Sequence, residues 1–205
     1  MKIVVNGARY RDLPVIDPQR VAIEADLSRA DVAVLHELCA GRTVVEFGCG
    51  GSTLLLARFS RIVLSYDHDV GWLERVARVA RRRAQKGVRM SRIVLQHVPE
   101  GAPPPKLPRV DVLFVDGERN ARHLWVERAL RARVARVVVI HDSRRPSPLA
   151  DCSSLITWPL TRSIDRVLYH YKNSNHVVVC LRDESVRYVD WNKAEPRRRL
   201  PHLHV

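Results

Sequence analysis

Four stretches of this sequence carry side chains able to do chemistry. Val44-Val-Glu-Phe-Gly-Cys-Gly-Gly-Ser-Thr53 runs from apolar residues through Glu46 into a glycine-rich turn. Tyr66-Asp-His-Asp69 ends the next β-branched run and puts Asp67 19 residues after Gly48. Val115-Asp-Gly-Glu-Arg119 and His141-Asp-Ser143 end two later runs. A glycine turn lets backbone approach a ligand, and a helix starting behind it offers free N–H groups. A phosphate loop is excluded because no lysine follows the turn. A dinucleotide turn needs glycine or alanine at its sixth position, where Thr53 stands, and Glu46 would repel a pyrophosphate. A cationic ligand suits Glu46 better, and Asp67 is spaced to accept hydrogen bonds from the two hydroxyls of a ribose. The plainer alternatives are a ligand-free turn, Asp67 as the cap of the following helix, and Cys49 as a small residue chosen for fit rather than a nucleophile.

The elements that must position these groups follow from the hydrophobic pattern. Strands are expected at 43–47, 61–66, 92–97, 110–115 and 136–141, several of them nearly continuous apolar runs of the kind covered by helices on both faces. Helices are expected at about 28–40, with Ser28 as cap and Val32, Leu35 and Leu38 on one stripe, and at about 52–59, 70–86 and 118–133. The proline-rich segment 99–108 reads as a loop. Runs 164–171 and 176–181 flank the short polar stretch Lys172-Asn-Ser-Asn175 and are expected to form an antiparallel hairpin. The fold class is therefore α/β: a Rossmann-like, doubly wound, mostly parallel sheet of seven strands ending in a C-terminal antiparallel hairpin. One domain is expected over 1–190, with 1–27 as a cap segment over the sheet edge, 28–182 as the core and 191–205 as a basic tail.

Composition sets the outer limits. The chain has 205 residues, 46% of them hydrophobic, and no run approaches the ~20 apolar residues of a membrane span. The N-terminal residues lack the pattern of a secretory signal. Cys39, Cys49, Cys152 and Cys180 are far apart, so neither a zinc site nor a disulfide framework is expected, and a cytoplasmic location is the default. Lys plus Arg number 35 against 22 acids, a net charge of +13. The densest run, 75–86, alternates with Val76, Ala77, Val79, Ala80 and Ala84, so it reads as a helix with an apolar stripe and a basic face. That face is either solvated or a contact for polyanions.

Taken together, these motifs resemble class I S-adenosylmethionine-dependent methyltransferases over roughly residues 28–182. Glu-Phe-Gly-Cys-Gly-Gly-Ser-Thr resembles that family's first motif and Asp67 its second acid, while Val-Asp-Gly-Glu-Arg and His-Asp are similar to those of a subgroup of small bacterial methyltransferases. The resemblance implies S-adenosyl-L-methionine as cofactor, a molecule with an ammonium and a sulfonium but no phosphate. It assigns the methionine end to Glu46 and the turn (Phe47, Gly48, Cys49, Gly50, Ser52, Thr53). The ribose goes to Asp67 with His68 beside the adenosine, the adenine edge to His97 and Val98, and the methyl donor to the vicinity of Asp116.

Methyl transfer is an in-line displacement at an activated carbon, so the protein must align a nucleophile and take up its proton. Asp116, His141 and Asp142, at the ends of the fourth and fifth strands, are the candidate catalytic groups, His141 having a proton affinity suited to a general base. In catechol O-methyltransferase-like enzymes, acids at the positions of Asp116 and Asp142 hold a divalent cation. Ser143 stands where that family has an amide ligand, so no metal-ligating residue is assigned, and a divalent cation held by the two carboxylates and waters stays a secondary cofactor expectation. Arg119, Arg122, Arg144 and Arg145 are candidates to clamp an anionic acceptor, and 143–160, with Trp158, is a candidate lid. The amino-directed nucleic-acid motif is absent after the fourth strand. A small-molecule acceptor methylated on oxygen or nitrogen is therefore the first expectation, and an RNA- or DNA-directed methyltransferase using the basic helix the second. A non-catalytic nucleotide-binding or interaction protein and an NAD-dependent oxidoreductase are the remaining alternatives.

Overall fold

The computed structural model describes residues 3–5, 8–9, 23, 25, 27–117, 121–141, 166–170 and 177–181. Five parallel strands form its centre: β3 (Thr43–Phe47), β4 (Ile62–Asp67), β5 (Arg92–His97), β6 (Val110–Val115) and β7 (Ala135–Ile140). Their spatial order is β5-β4-β3-β6-β7, so the chain leaves β3 in one direction toward β4 and later returns to its other side as β6. That reversal opens a crevice at the carboxyl ends of β3 and β6, the place where sheets of this Rossmann-like kind bind ligands.

Strand alternation sorts side chains onto two cores. Val44, Val63, Ile93, Leu95, Val112, Phe114, Val137 and Val139 point to one face, under α1 (Arg29–Cys39), α2 (Gly51–Phe59) and α3 (Val70–Gln85). Val45, Phe47, Leu113, Val115, Val138 and Ile140 point to the other, under α4 (Arg122–Ala132). The period of two along each strand is what allows one run to feed both layers.

Local signals explain the element ends. Ser28 Oγ accepts the N–H of Asp31, and Asp31 Oδ2 accepts the N–H of Ser28, a reciprocal cap at the start of α1. Within α1, Val34 joins Leu35 and Leu38 in the core, while Val32 is only half-buried. Asp69, not Asp67, caps α3, its Oδ1 accepting the N–H of Trp72. On α3, Leu73, Val76, Ala77, Val79 and Ala80 are buried and Ala84 is half-buried.

The sheet edges depart from the seven-strand expectation, because among the described residues nine strands are joined in one sheet. The segment expected to cap the edge contributes β1 (Ile3–Val5), parallel to β5, and β2 (Ala8–Arg9), antiparallel to β1. An uncovered β5 would present a row of unpaired N–H and C=O groups, which β1 satisfies. At the other edge, β8 (Arg166–His170) pairs antiparallel with β9 (Val177–Leu181), which pairs antiparallel with β7. Between β5 and β6 the chain is irregular. None of the described helices is long and apolar enough to cross a membrane. The candidate lid 143–160 and the basic tail 191–205 lie outside the described residues.

The core assignment has a measurable consequence. Leu54→Ala on α2, whose side chain is fully buried, is expected to lower the unfolding free energy by about 2–5 kcal/mol. Arg81→Ala, on the exposed side of α3, is expected to stay within about 0.5 kcal/mol. Urea denaturation of both variants checks this, and equal costs would contradict the two-layer packing.

Candidate functional site

The glycine turn joins β3 to α2 at the crevice. Gly48 has φ +97°, a conformation L side chains rarely adopt, and a Cβ there would lie 2.3 Å from the backbone nitrogen of Gly117. A Cβ on Gly117 would in turn meet the Phe47 ring at 2.8 Å and the Gly48 nitrogen at 2.9 Å. The ends of β3 and β6 therefore touch backbone to backbone, which only glycine at both positions permits. The Asp116 N–H donates to the Phe47 carbonyl (2.8 Å) and the Gly48 N–H to that of Tyr66 (2.8 Å), tying the turn to β6 and β4.

Glu46 is fully buried beneath this turn. Its Oε1 accepts the Ser52 hydroxyl (2.6 Å), and its Oε2 accepts the hydroxyls of Thr53 (2.6 Å) and Ser65 (2.6 Å). Thr53 Oγ1 also accepts the Gly50 N–H (2.8 Å). Through these bonds Glu46 braces β3, the first turn of α2 and β4 against one another. Ser52 and Thr53 are buried and serve the same network. Burial pushes the Glu46 carboxyl up from 4.5 to about 7; the Ser52, Ser65 and Thr53 hydroxyls oppose the rise and the charge of Asp67 adds to it.

Asp67 reaches the turn from β4. Its Oδ2 accepts the Cys49 N–H (2.8 Å), and its Oδ1 accepts the Asp69 N–H (3.0 Å) and lies 3.4 Å from His68 Nδ1. A carboxylate has about four acceptor positions, so Asp67 braces the turn and retains acceptor capacity. His68 is exposed beside it, with 39% of its side chain accessible. His97 is exposed on β5 in register with Asp67, whereas Val98 is buried and donates its N–H to the Asp67 carbonyl (2.9 Å). Phe47 contributes only backbone to the turn, since its ring stacks on Trp125 of α4 at 4.5 Å. Cys49 is buried and its thiol is pushed up, chiefly by that burial, which disfavours the thiolate.

At the ends of β6 and β7 the structure changes the expected role of Arg122. Its guanidinium donates from Nε to the Gly117 carbonyl (2.7 Å), from Nη1 to the His141 carbonyl (3.2 Å) and from Nη2 to the Asp116 carbonyl (3.2 Å). Buried and committed to three carbonyls, it staples two strand ends instead of clamping an acceptor. Asp116 Oδ1 is 3.6 Å from Arg122 Nη2, and a quarter of its side chain is accessible. His141 is only 5% exposed, and its N–H donates to the Val115 carbonyl (3.0 Å). Its ring lies beside Phe114, with the ring centres 6.2 Å apart. Asp142, Arg119, Arg144, Arg145 and Trp158 lie outside the described residues. Among the described residues, no group of three acid, histidine or cysteine side chains is placed to hold a metal ion.

Two residues that the motif reading passed over belong to the site. Trp72 donates its indole N–H to the Cys49 carbonyl and lies beside Gly50, with the Arg75 guanidinium 5.0 Å from its ring centre. Its place three residues after the cap Asp69 was the available signal. Gly117 was visible as part of Asp-Gly-Glu-Arg, but its contact with Gly48 is a tertiary fact.

Two expectations follow. In the unfolded chain Glu46 loses its proton near 4.5, and in the folded protein near 7. Between those values the folded state holds a proton the unfolded state has lost. The stabilisation from this group is therefore whole below pH 4.5 and disappears as pH rises through about 7. Relative to Glu46→Gln, wild-type stability should fall by about 3 kcal/mol between these limits, at ~1.4 kcal/mol per pKa unit. Denaturant melts of both proteins from pH 4 to 8 check this, and a flat difference would contradict it. Separately, Gly48→Ala should cost more than about 3 kcal/mol, because the added carbon collides with backbone. An insoluble or partly unfolded product agrees with that, and a native unfolding midpoint does not.

No protein-family model matches the chain, and no curated protein matches it in sequence. Solved structures resemble it in fold. The methyltransferase domain of bacterial CtHen1-C superposes with a TM-score of 0.51 at 15% identity, over 73% of this chain and 94% of that one. A methyltransferase-like protein from Silicibacter pomeroyi gives 0.49 at 15% identity, over 79% and 90% of the two chains. A precorrin 8w decarboxylase from Methanobacterium thermoautotrophicum gives 0.49 at 15% identity, over 80% and 94%. At these identities the likeness is one of fold, a Rossmann-like α/β sheet.

Proposed function

We propose that the chain is an S-adenosylmethionine-dependent methyltransferase acting on an oxygen or nitrogen of a small molecule. The observation that carries this reading is the charge of the crevice. The described carboxyl ends of β4 and β6 and the turn after β4 bring Asp67, Asp69 and Asp116 to the crevice, with Glu46 buried beneath the glycine turn, while Arg122 is taken up by backbone carbonyls. Such a rim repels a pyrophosphate and accepts a cationic ligand. The donor set fits the cofactor: the first-turn N–H groups of α2 suit its carboxylate, the acids suit its ammonium and sulfonium, and Asp67 has acceptor capacity for ribose hydroxyls. The closing antiparallel strands and the order β5-β4-β3-β6-β7 agree with this reading.

The bound cofactor supplies a methyl group already activated by a positive sulfur. The chain's own residues hold and orient. Gly48 and Gly50 form the cradle, Glu46 fixes its shape from below, Asp67 with His68 and His97 lines the nucleoside side, and Trp72 backs Gly50. Asp116, partly exposed beside Gly117, is assigned the acceptor's proton, a reading its partial exposure supports. His141 and Asp142 are the further candidates on the neighbouring strand end.

Calorimetric titration with S-adenosylhomocysteine and with NAD tests the reading. Micromolar binding of the first alone, weakened at least about tenfold in Asp67→Asn, is expected, since one lost charge-assisted bond is worth about 1.5–3 kcal/mol. Binding of NAD alone, or of neither compound, would overturn it.

A further inference from the structure

Five of the described arginines share one edge of the sheet. Every one of the five central strands is entered through an arginine. Arg42 immediately precedes β3, Arg61 precedes β4, Arg92 opens β5, Arg109 precedes β6 and Arg136 is the second residue of β7. The strands are parallel and their starts are in register, with Thr43 opposite Ile62, Ile62 opposite Arg92, and Val110 opposite Ala135. Across β3 and β6, Val44 lies opposite Val112, so the five arginines lie within two residues of one level along the amino edge of the sheet, Arg42 and Arg61 directed to one side of it and Arg92, Arg109 and Arg136 to the other. Neighbouring strands are ~4.8 Å apart, so the row spans about 19 Å. Arg61, Arg92, Arg109 and Arg136 are exposed and Arg42 is half-buried. Arg61 is held across two strands, donating from Nη2 to Thr43 Oγ1 at 2.7 Å.

The helix that feeds β5 widens the row. The last turn of α3 and the connection after it bring Lys86 and Arg89, both exposed, to the same edge. Acids are few there among the described residues. Asp111 is occupied by the Thr43 N–H (2.8 Å), and the Glu37 carboxyl lies in the field of Arg42. Asp67, Asp69 and Asp116 all sit at the opposite, carboxyl edge. The molecule is thus polarised along its strands, acidic where the candidate site opens and basic where the strands begin.

We propose that this arginine row is a docking surface for the sugar–phosphate backbone of double-stranded nucleic acid, engaged without regard to sequence. Guanidinium forks pair bidentately with phosphate oxygens, and a duplex carries one charge per ~1.7 Å of axis with both strands counted, so a length of about 19 Å carries roughly eleven phosphates, part of which face one side. A single strand is a poorer match, since its binding uses aromatic platforms for stacking and no described phenylalanine, tyrosine or tryptophan side chain is exposed. An anionic lipid surface is poorer too, because lipid-facing segments bury apolar side chains. The one exposed large hydrophobic among the described residues, Val70, lies at the start of α3, on the carboxyl edge. Docked by its amino edge, the protein keeps its glycine turn facing away from the duplex. The surface is separate from the candidate site, and the proposal stands or falls independently of methyl transfer.

Fluorescence anisotropy of the full chain with labelled duplexes of about 20 base pairs, in two unrelated sequences and between about 50 and 200 mM salt, tests it. Equal affinity for both sequences is expected, with a steep loss as salt rises. Lys86→Ala/Arg89→Ala/Arg92→Ala/Arg109→Ala should weaken binding at least about tenfold at low salt and flatten the salt slope by about 0.9 for each phosphate no longer neutralised. The matching Arg89→Lys/Arg92→Lys/Arg109→Lys protein should keep most of the affinity, and Arg197→Ala/Arg198→Ala/Arg199→Ala, in the C-terminal run, should bind as wild type. The double variant Arg89→Glu/Arg109→Glu gives the same readout if the fourfold variant fails to fold. Absence of binding at low salt would overturn the proposal. So would unchanged binding by the row variants, loss confined to the 197–199 variant, or tighter binding to single strands or phosphatidylserine vesicles than to the duplex.

Discussion

The buried carboxyl group of Glu46 takes its hydrogen bonds from Ser52 and Thr53 on α2 and from Ser65 on β4, and most of what surrounds the crevice depends on that arrangement. An ionised carboxylate removed from water costs several kcal/mol unless it is fully hydrogen-bonded. Three hydroxyl donors supply the bonds here, and in doing so fix the distance between a strand, the helix that follows it and the next strand. Thr53 passes the constraint to Gly50 by accepting its N–H. The result is a turn whose backbone is held from beneath before any ligand is considered. A network of this kind is stringent, since leaving one member without its partner in a low-dielectric interior costs more than the bond itself contributes.

On the far side of the crevice, backbone groups do the equivalent work. The carbonyls of Asp116, Gly117 and His141 converge on the guanidinium of Arg122. Strand ends beyond the last ladder bond carry carbonyls that need donors, and a planar group with several fixed N–H vectors satisfies three of them together. Glu46 and Arg122 thus have the same task on the two sides of the reversal in strand order, and both are hidden. The groups left at the surface, Asp116, His68 and His97, inherit their positions from these hidden ones.

How much of this was legible in the sequence depends on range. Thr43–Phe47, Arg92–His97 and Val110–Val115 have the bounds their apolar runs predict, because a buried parallel strand needs side chains for both faces. Ser28 announces α1 because its cap is a matter of three residues. The sequence also places Glu46 before a glycine turn, but not whether its carboxyl faces the crevice or the interior. That depends on the hydroxyls of residues 52, 53 and 65 arriving together. Arg122 looked like a rim cation for the same reason, since its partners are carbonyls, which leave no trace in residue types. Asp67 and Asp69 both suit a helix cap, and spacing alone does not separate them. The short β1 was unreadable because three residues carry little periodicity, and its place is decided by the open side of β5.

The contact between Gly48 and Gly117 bears on the ancestry of this chain. A side chain at either position meets main-chain atoms of the other, with the Phe47 ring also in the way of one at 117. Main chain cannot be trimmed by a compensating substitution elsewhere, so a lineage that loses one glycine has no single second step that restores the fit. The two sites, 69 positions apart in the gene product, are therefore bound to be inherited as a pair. Relatives too diverged to align by their side chains would still be recognisable by two glycines, one closing each of the strands that flank the crevice.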